Sequence, residues 1–134
     1  MTWRGGCHCG ALRVTFESAR PAADLSLREC QCTFCRHHGA RNTSDPAGRV
    51  QVVAEREALV RYRFGLRTAD FLVCARCGVY IACVLDDAFA SVNTRALDGD
   101  WDRPAAPMHF DAETVESRIA RRRTTWTPAH IQVI

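Results

Sequence analysis

Along most of the chain, apolar and polar residues alternate with a period of two, the spacing of strands that bury one face. Leu12, Val14 and Phe16 alternate with Arg13, Thr15 and Glu17. Shorter runs follow at Val50–Ala54, Val60–Phe64 and Thr68–Val73, and again at Val79–Leu85 and Phe89–Thr94. Turn-forming residues, concentrated in Asn42–Gly48 and Asp98–Pro107, separate these pieces. One stretch changes period: Asp111–Arg122 predicts a helix, with Asp111 as its N-cap and Val115 and Ile119 four apart. The pattern predicts a mostly β chain folded as one domain over residues 1–134, without repeats.

Composition narrows this little. At 134 residues and 47% hydrophobic, the chain can build a modest core. No apolar run approaches the roughly 20 residues needed to span a bilayer, so no membrane partner is expected. A net charge of +3 is too mild to argue for nucleic acid. The run Arg121-Arg122-Arg123 has few interleaved aromatics and reads as a solvated helix face or tail. All 18 basic residues are arginine, which rules out Schiff-base chemistry on a lysine.

The cysteines change the picture. Seven of the eight fall in three clusters, Cys7-His8-Cys9, Cys30-Gln31-Cys32-Thr33-Phe34-Cys35 and Cys74-Ala75-Arg76-Cys77. Disulfides are the rival reading, but Met1–Gly6 carries no apolar signal-peptide stretch before the first cysteine. Thiols one or two residues apart aim at a common point, and Gly10 and Gly78 follow the paired clusters as turn glycines follow zinc knuckles. The expectation is zinc, two ions per chain, in a reducing, cytoplasmic setting.

The clusters divide as four plus three. Cys7, Cys9, Cys74 and Cys77 supply four ligands, enough for a closed structural zinc. Cys30, Cys32 and Cys35 supply three from one short loop, leaving a position for water or substrate, as catalytic zinc does. Cys83, His8, His37, His38 or His109 is available as a closing fourth ligand. Cys83 alternates with Ile81 and Leu85, which points instead to a core thiol.

The segments Gly6-Cys7-His8-Cys9-Gly10, Cys30–Ala40 and Cys74–Gly78, with Val92–Asp98 after them, resemble the glutathione-dependent formaldehyde-activating enzyme family, also called the centromere protein V/GFA-type zinc domain. The resemblance covers about residues 3–99 and is weak over 101–134. It implies a β-tent of small antiparallel sheets organised around two zinc sites. It also implies a structural zinc on Cys7, Cys9, Cys74 and Cys77 and a catalytic zinc on Cys30, Cys32 and Cys35. The family's named reaction joins formaldehyde and glutathione to S-hydroxymethylglutathione, so the expected partners are a small thiol such as glutathione and a small aldehyde.

Three thiolates on a divalent zinc leave one negative charge, and an exogenous thiol is a natural fourth ligand because zinc deprotonates it. The expected activity is that of a carbon–sulfur lyase or synthase. Arg36, beside Cys35, is a candidate counter-charge, and His37 or His38 a candidate proton donor. Each also reads as a solvated loop residue. Arginine forks suit the two carboxylates of glutathione, with Arg41, Arg61, Arg63 and Arg76 as candidates. The alternative function is a non-catalytic zinc module that binds a protein partner.

Overall fold

The computed structural model describes residues 1–134. Its strands are β1 (Thr2–Gly6), β2 (Leu12–Glu17), β3 (Arg28–Cys30), β4 (Asn42–Thr43), β5 (Arg49–Ala54), β6 (Leu59–Tyr62), β7 (Asp70–Cys74), β8 (Tyr80–Leu85), β9 (Phe89–Asn93), β10 (Ala106–Met108) and β11 (Thr127–Val133). Two α-helices interrupt them, α1 (Thr33–His38) and α2 (Val115–Thr125). The chain is mostly β, as the alternating pattern predicts.

All strands join one mixed sheet in the order β1-β2-β5-β11-β9-β4-β3-β10, with β8, β7 and β6 continuing from β9 as a branch. Most pairings are antiparallel, but β5–β11 and β3–β10 are parallel. One connected sheet therefore stands in place of separate antiparallel sheets. The joint is β11, whose start pairs with β9 at Thr127 and Pro128 while Ala129–Val133 pair with β5. Pro128 lacks a donor and sits near the strand's start, where proline is tolerated.

Burial follows the sequence pattern where that pattern is strong. Leu12, Val14 and Phe16 are buried on β2, and β8 is buried along its whole length. A strand covered on both faces reads as a continuous apolar run. Two cores result. The larger holds 21 buried residues, among them Phe16, Leu72, Ile81 and Val92, with Trp3 stacked on Phe16 at 5.4 Å. The smaller holds seven, Cys35, Ala40, Ala69, Tyr80, Cys83, Leu85 and Trp126. Strand β8 separates them, giving Ile81 and Val84 to one and Tyr80, Cys83 and Leu85 to the other.

Two expectations are corrected. The C-terminal helix starts at Val115, because Thr114 and Ser117 cap each other reciprocally and leave Asp111 in the preceding turn. The polar stretch after Ala40 is not a surface loop throughout: Asn42 and Thr43 form β4, and Ser44 and Asp45 are buried. Hydrogen bonds make that burial tolerable. Thr43 Oγ1 donates to the Ser26 carbonyl at 2.7 Å, Ser44 Oγ to the Thr125 carbonyl at 2.7 Å, and Ser18 Oγ to Asp45 at 2.5 Å.

Candidate metal centres and the cleft beside them

The first centre joins two turns, and two of its members, Cys7 and Cys74, belong to the larger core. Cys7 and Cys9 occupy the turn between β1 and β2, and Cys74 and Cys77 the turn between β7 and β8. Each turn closes on its own backbone: Gly10 N–H donates to the Cys7 carbonyl at 3.2 Å and Gly78 N–H to the Cys74 carbonyl at 2.8 Å. Both glycines have positive φ, 85° and 79°, which a side chain would strain. The four sulfurs lie within 4.8 Å of one another. Cys9 Sγ is 3.7 Å from Cys7 Sγ and 3.6 Å from Cys74 Sγ. A tetrahedron of metal–sulfur bonds of about 2.3 Å has edges of about 3.8 Å. These contacts match that edge and are far too long for disulfides. The thiols differ in acidity. Backbone hydrogen bonds, from Val79 and then Cys9, hold Cys77 down at about 6. Cys9 accepts from Ala11, yet burial and the surrounding thiols push it up to about 11.

The second centre is local. Cys30 ends β3, Cys32 caps α1 with its sulfur accepting from Cys35 N–H at 3.4 Å, and Cys35 lies buried in the first helical turn. The predicted loop is thus a β-strand end running into a helix. Gln31 N–H donates to the Met108 carbonyl at 2.9 Å, so the β3–β10 pair fixes the approach, and Gly39 ends α1 in the left-handed conformation at φ 58°. The three sulfurs also fall within 4.8 Å of one another. Hydrogen bonds from Cys30 and then Cys35 pull the Cys32 thiol far down, while the same contacts push Cys35 up. The Cys30 thiol is pushed up as well, chiefly by Cys32, so without a metal one thiol of the three gives up its proton readily. Cys83 stands outside it, in the smaller core, where burial pushes its thiol up to about 12.

Beside the second centre opens a cleft of about 400 Å³. Cys30 and Cys32 form part of its floor, Phe64 and Phe71 one apolar wall, and Phe110 with Arg118, Arg121 and Arg122 the other. Arg121 and Arg122 belong to the run expected to be a solvated helix face, and this is a further correction. Only Arg123 of that run faces solvent, paired with Asp86. Glu113 holds Arg118 at 3.1 Å and Arg121 at 2.7 Å, and those guanidiniums, Arg121 first, keep its carboxyl below the ordinary range. Arg121 also lies 3.7 Å over the Phe110 ring. Arg122 is buried, donates to Thr68 Oγ1 at 2.8 Å and packs 4.7 Å over Trp126, with no carboxylate partner. The signal available in the sequence was spacing: residues 118, 121 and 122 share one helical face, and residue 123 does not.

Of the other expected site residues, His109 lines the cleft with Cys30 and Cys32, and the rest lie elsewhere. Arg36, His37 and His38 follow Cys35 around the helix and are exposed, and none lines the cleft. Consecutive helical residues turn by about 100°, so Arg36 and His37, the two residues after the buried Cys35, face away from it. His38 packs against Phe34 at 4.5 Å, and burial, with His37 beside it, lowers its pKa. None of the four candidate anchors lines the cleft: Arg61 and Arg63 pair with Asp70, Arg76 with Glu55, and Arg41 with Glu29. His8 is exposed.

Residues 2–111 match the model of the glutathione-dependent formaldehyde-activating enzyme family. The chain belongs to that family. A crystal structure of a Rhodobacter sphaeroides protein is similar, with 33% identity and a TM-score of 0.61 over 80% of this chain and 99% of that one. The matched region includes both cysteine centres and ends before α2, so the arginine wall lies outside it. Family membership supports activation of formaldehyde with glutathione in general, and each cysteine cluster could hold a metal ion. No helix is long and apolar enough to cross a membrane.

Proposed function

We propose that this protein is a zinc-dependent carbon–sulfur lyase or synthase that interconverts glutathione plus formaldehyde with S-hydroxymethylglutathione. The observation that carries this reading is the three-thiol cluster opening into an arginine-walled cleft. Cys30, Cys32 and Cys35 would hold one zinc, and Cys7, Cys9, Cys74 and Cys77 the other. Sulfur-only donor sets select zinc over magnesium or calcium. When bound at three thiolates, zinc supplies the acidity that turns an incoming thiol into a thiolate. The chain's own residues do the rest. Arg118, Arg121 and Arg122 face the cleft and suit the two carboxylates of glutathione. Phe64, Phe71 and Phe110 limit water around the reacting sulfur. That sulfur adds to the carbonyl carbon, the C=O π pair moves to oxygen, and oxygen takes a proton from water in place of the one the thiol gave up to water; cleavage reverses each transfer. Arg36 sits near the C-terminus of α1, where positive charge is favoured, and we assign it that role; His37 and His38, exposed and outside the cleft, take no part in proton donation.

The test is thiol capture by zinc-loaded protein. Glutathione should release protons into weak buffer on binding, S-methylglutathione should not, and Cys35→Ala should abolish the release while keeping one zinc. Thiol binding that persists unchanged in Cys35→Ala, or fails in the wild type, replaces the lyase with a zinc module that binds a protein partner.

A further inference from the structure

A recess of about 50 Å³ adjoins the cleft. Cys30 and Arg122 line both spaces, whereas Cys35, Asn42 and Tyr80 line the recess alone. Four buried side-chain polar atoms in the protein lack a partner, and three of them belong to recess residues: Asn42 Oδ1, Tyr80 Oη and Arg122 Nε. Their residues are 8%, 1% and 8% exposed. Buried polar groups are nearly always paired, so three orphans around one small space call for an occupant. Arg28 lines the recess too, donating to the hydroxyls of Ser44 at 2.9 Å and Ser91 at 3.2 Å. Neither Arg28 nor Arg122 is among the protein's ion pairs with carboxylates, which leaves the space electropositive beside the thiol cluster.

The orphans have a definite complement. Tyr80 Oη and Arg122 Nε can donate, and Asn42 Oδ1 can only accept. A hydroxyl group answers all three, because it has two lone pairs and one proton. A bare carbonyl oxygen leaves Asn42 unanswered. Resting on the function proposed above, we infer that the recess binds the hydroxymethyl group of the thiol adduct, –S–CH2–OH, with its oxygen between Tyr80, Arg122 and Asn42. The sulfur then lies toward Cys30, which borders both spaces, and the rest of the thiol extends into the cleft. Two heavy atoms suit a recess of this volume, so one-carbon aldehydes are favoured over longer ones. The two unpaired guanidiniums also favour an oxygen on which negative charge builds as the carbon–sulfur bond breaks or forms.

The experiment compares zinc-loaded wild type with Tyr80→Phe and Asn42→Ala, titrating glutathione alone and glutathione equilibrated with formaldehyde. Trp126 fluorescence, at the recess wall, reports binding independently of turnover. Wild type should hold the adduct more tightly than the thiol. Each variant should bind the thiol as wild type does and lose the adduct's advantage, roughly tenfold for one hydrogen bond. Tyr80→Phe should melt at the wild-type temperature, since its lost hydroxyl had no partner. Acetaldehyde should give no advantage in any protein. If glutathione itself fails to bind, the lyase reading falls. If the thiol binds but its adduct binds no better, or Tyr80→Phe melts lower with adduct affinity intact, the recess merely holds a structural water.

Discussion

The two cysteine centres use the same donor atom at nearly the same spacing and differ in how the chain reaches them. The four-thiol centre draws on two turns whose cysteines, Cys9 and Cys74, are 65 residues apart, and its members Cys7 and Cys74 belong to the larger core. The three-thiol centre comes from six consecutive residues and belongs with the smaller core. A long-range closure restricts the unfolded chain, whereas a local one restricts little. The first centre is thereby suited to hold the fold. The second can be exposed to a cleft at small cost in stability, which is the condition for chemistry.

The largest expected effect tests that contrast directly. Cys74→Ser should leave the protein unfolded or insoluble, because it strips a buried member from the centre that ties β1–β2 to β7–β8. Cys32→Ser should leave a folded protein with one metal fewer, by circular dichroism and metal analysis. Equal damage in the two variants would erase the distinction. A graded chelator titration should show the same order, with one metal lost before the sheet melts and the second lost with it.

A smaller effect concerns the wall facing the three thiols. Arg121→Gln should weaken glutathione about tenfold or more, as loss of a charged hydrogen bond does, and leave an uncharged thiol such as 2-mercaptoethanol unaffected. Equal weakening of both thiols would mean that α2 only packs. The smallest effect is a pH dependence. Glu113 has a lowered folded pKa, so its clamp on Arg118 and Arg121 is complete above its ordinary value and is lost as pH falls through the lowered one. Trp126 fluorescence should report that release, and Glu113→Gln should show the acid-type signal at neutral pH and remove the transition. Metal content measured in parallel separates this step from protonation of the cysteines.

What the sequence revealed depended on how local the information was. β2 was legible because Leu12, Val14 and Phe16 alternate without interruption, and both thiol groups because their spacing is itself the signal. β11 went unread although Ala129, Ile131 and Val133 alternate with exposed His130 and Gln132, because Pro128 and weak apolarity mask the period. β3, β4 and β10 are two or three residues long and exist through pairing with distant partners, which no window along the chain displays. The arginine wall was hidden for a different reason. Three consecutive charges look solvated in a list, but on α2 two of them turn to the cleft and only Arg123 to solvent, and the buried one rests on Trp126. The orphan atoms of Asn42 and Tyr80 could not be anticipated at all, since an unmet hydrogen bond is a property of the packed surroundings.

Strand β11 has a consequence for how the protein is made. Until residues 127–133 leave the ribosome, β5 and the first half of β9 each present an edge with no neighbour on that side. Unpaired edges are templates for pairing with other chains. A nascent or truncated chain that stops short of Thr127 therefore carries two sticky borders on either side of a gap. Its tendency to aggregate is set by the arrival of a segment that contributes no cysteine to either centre.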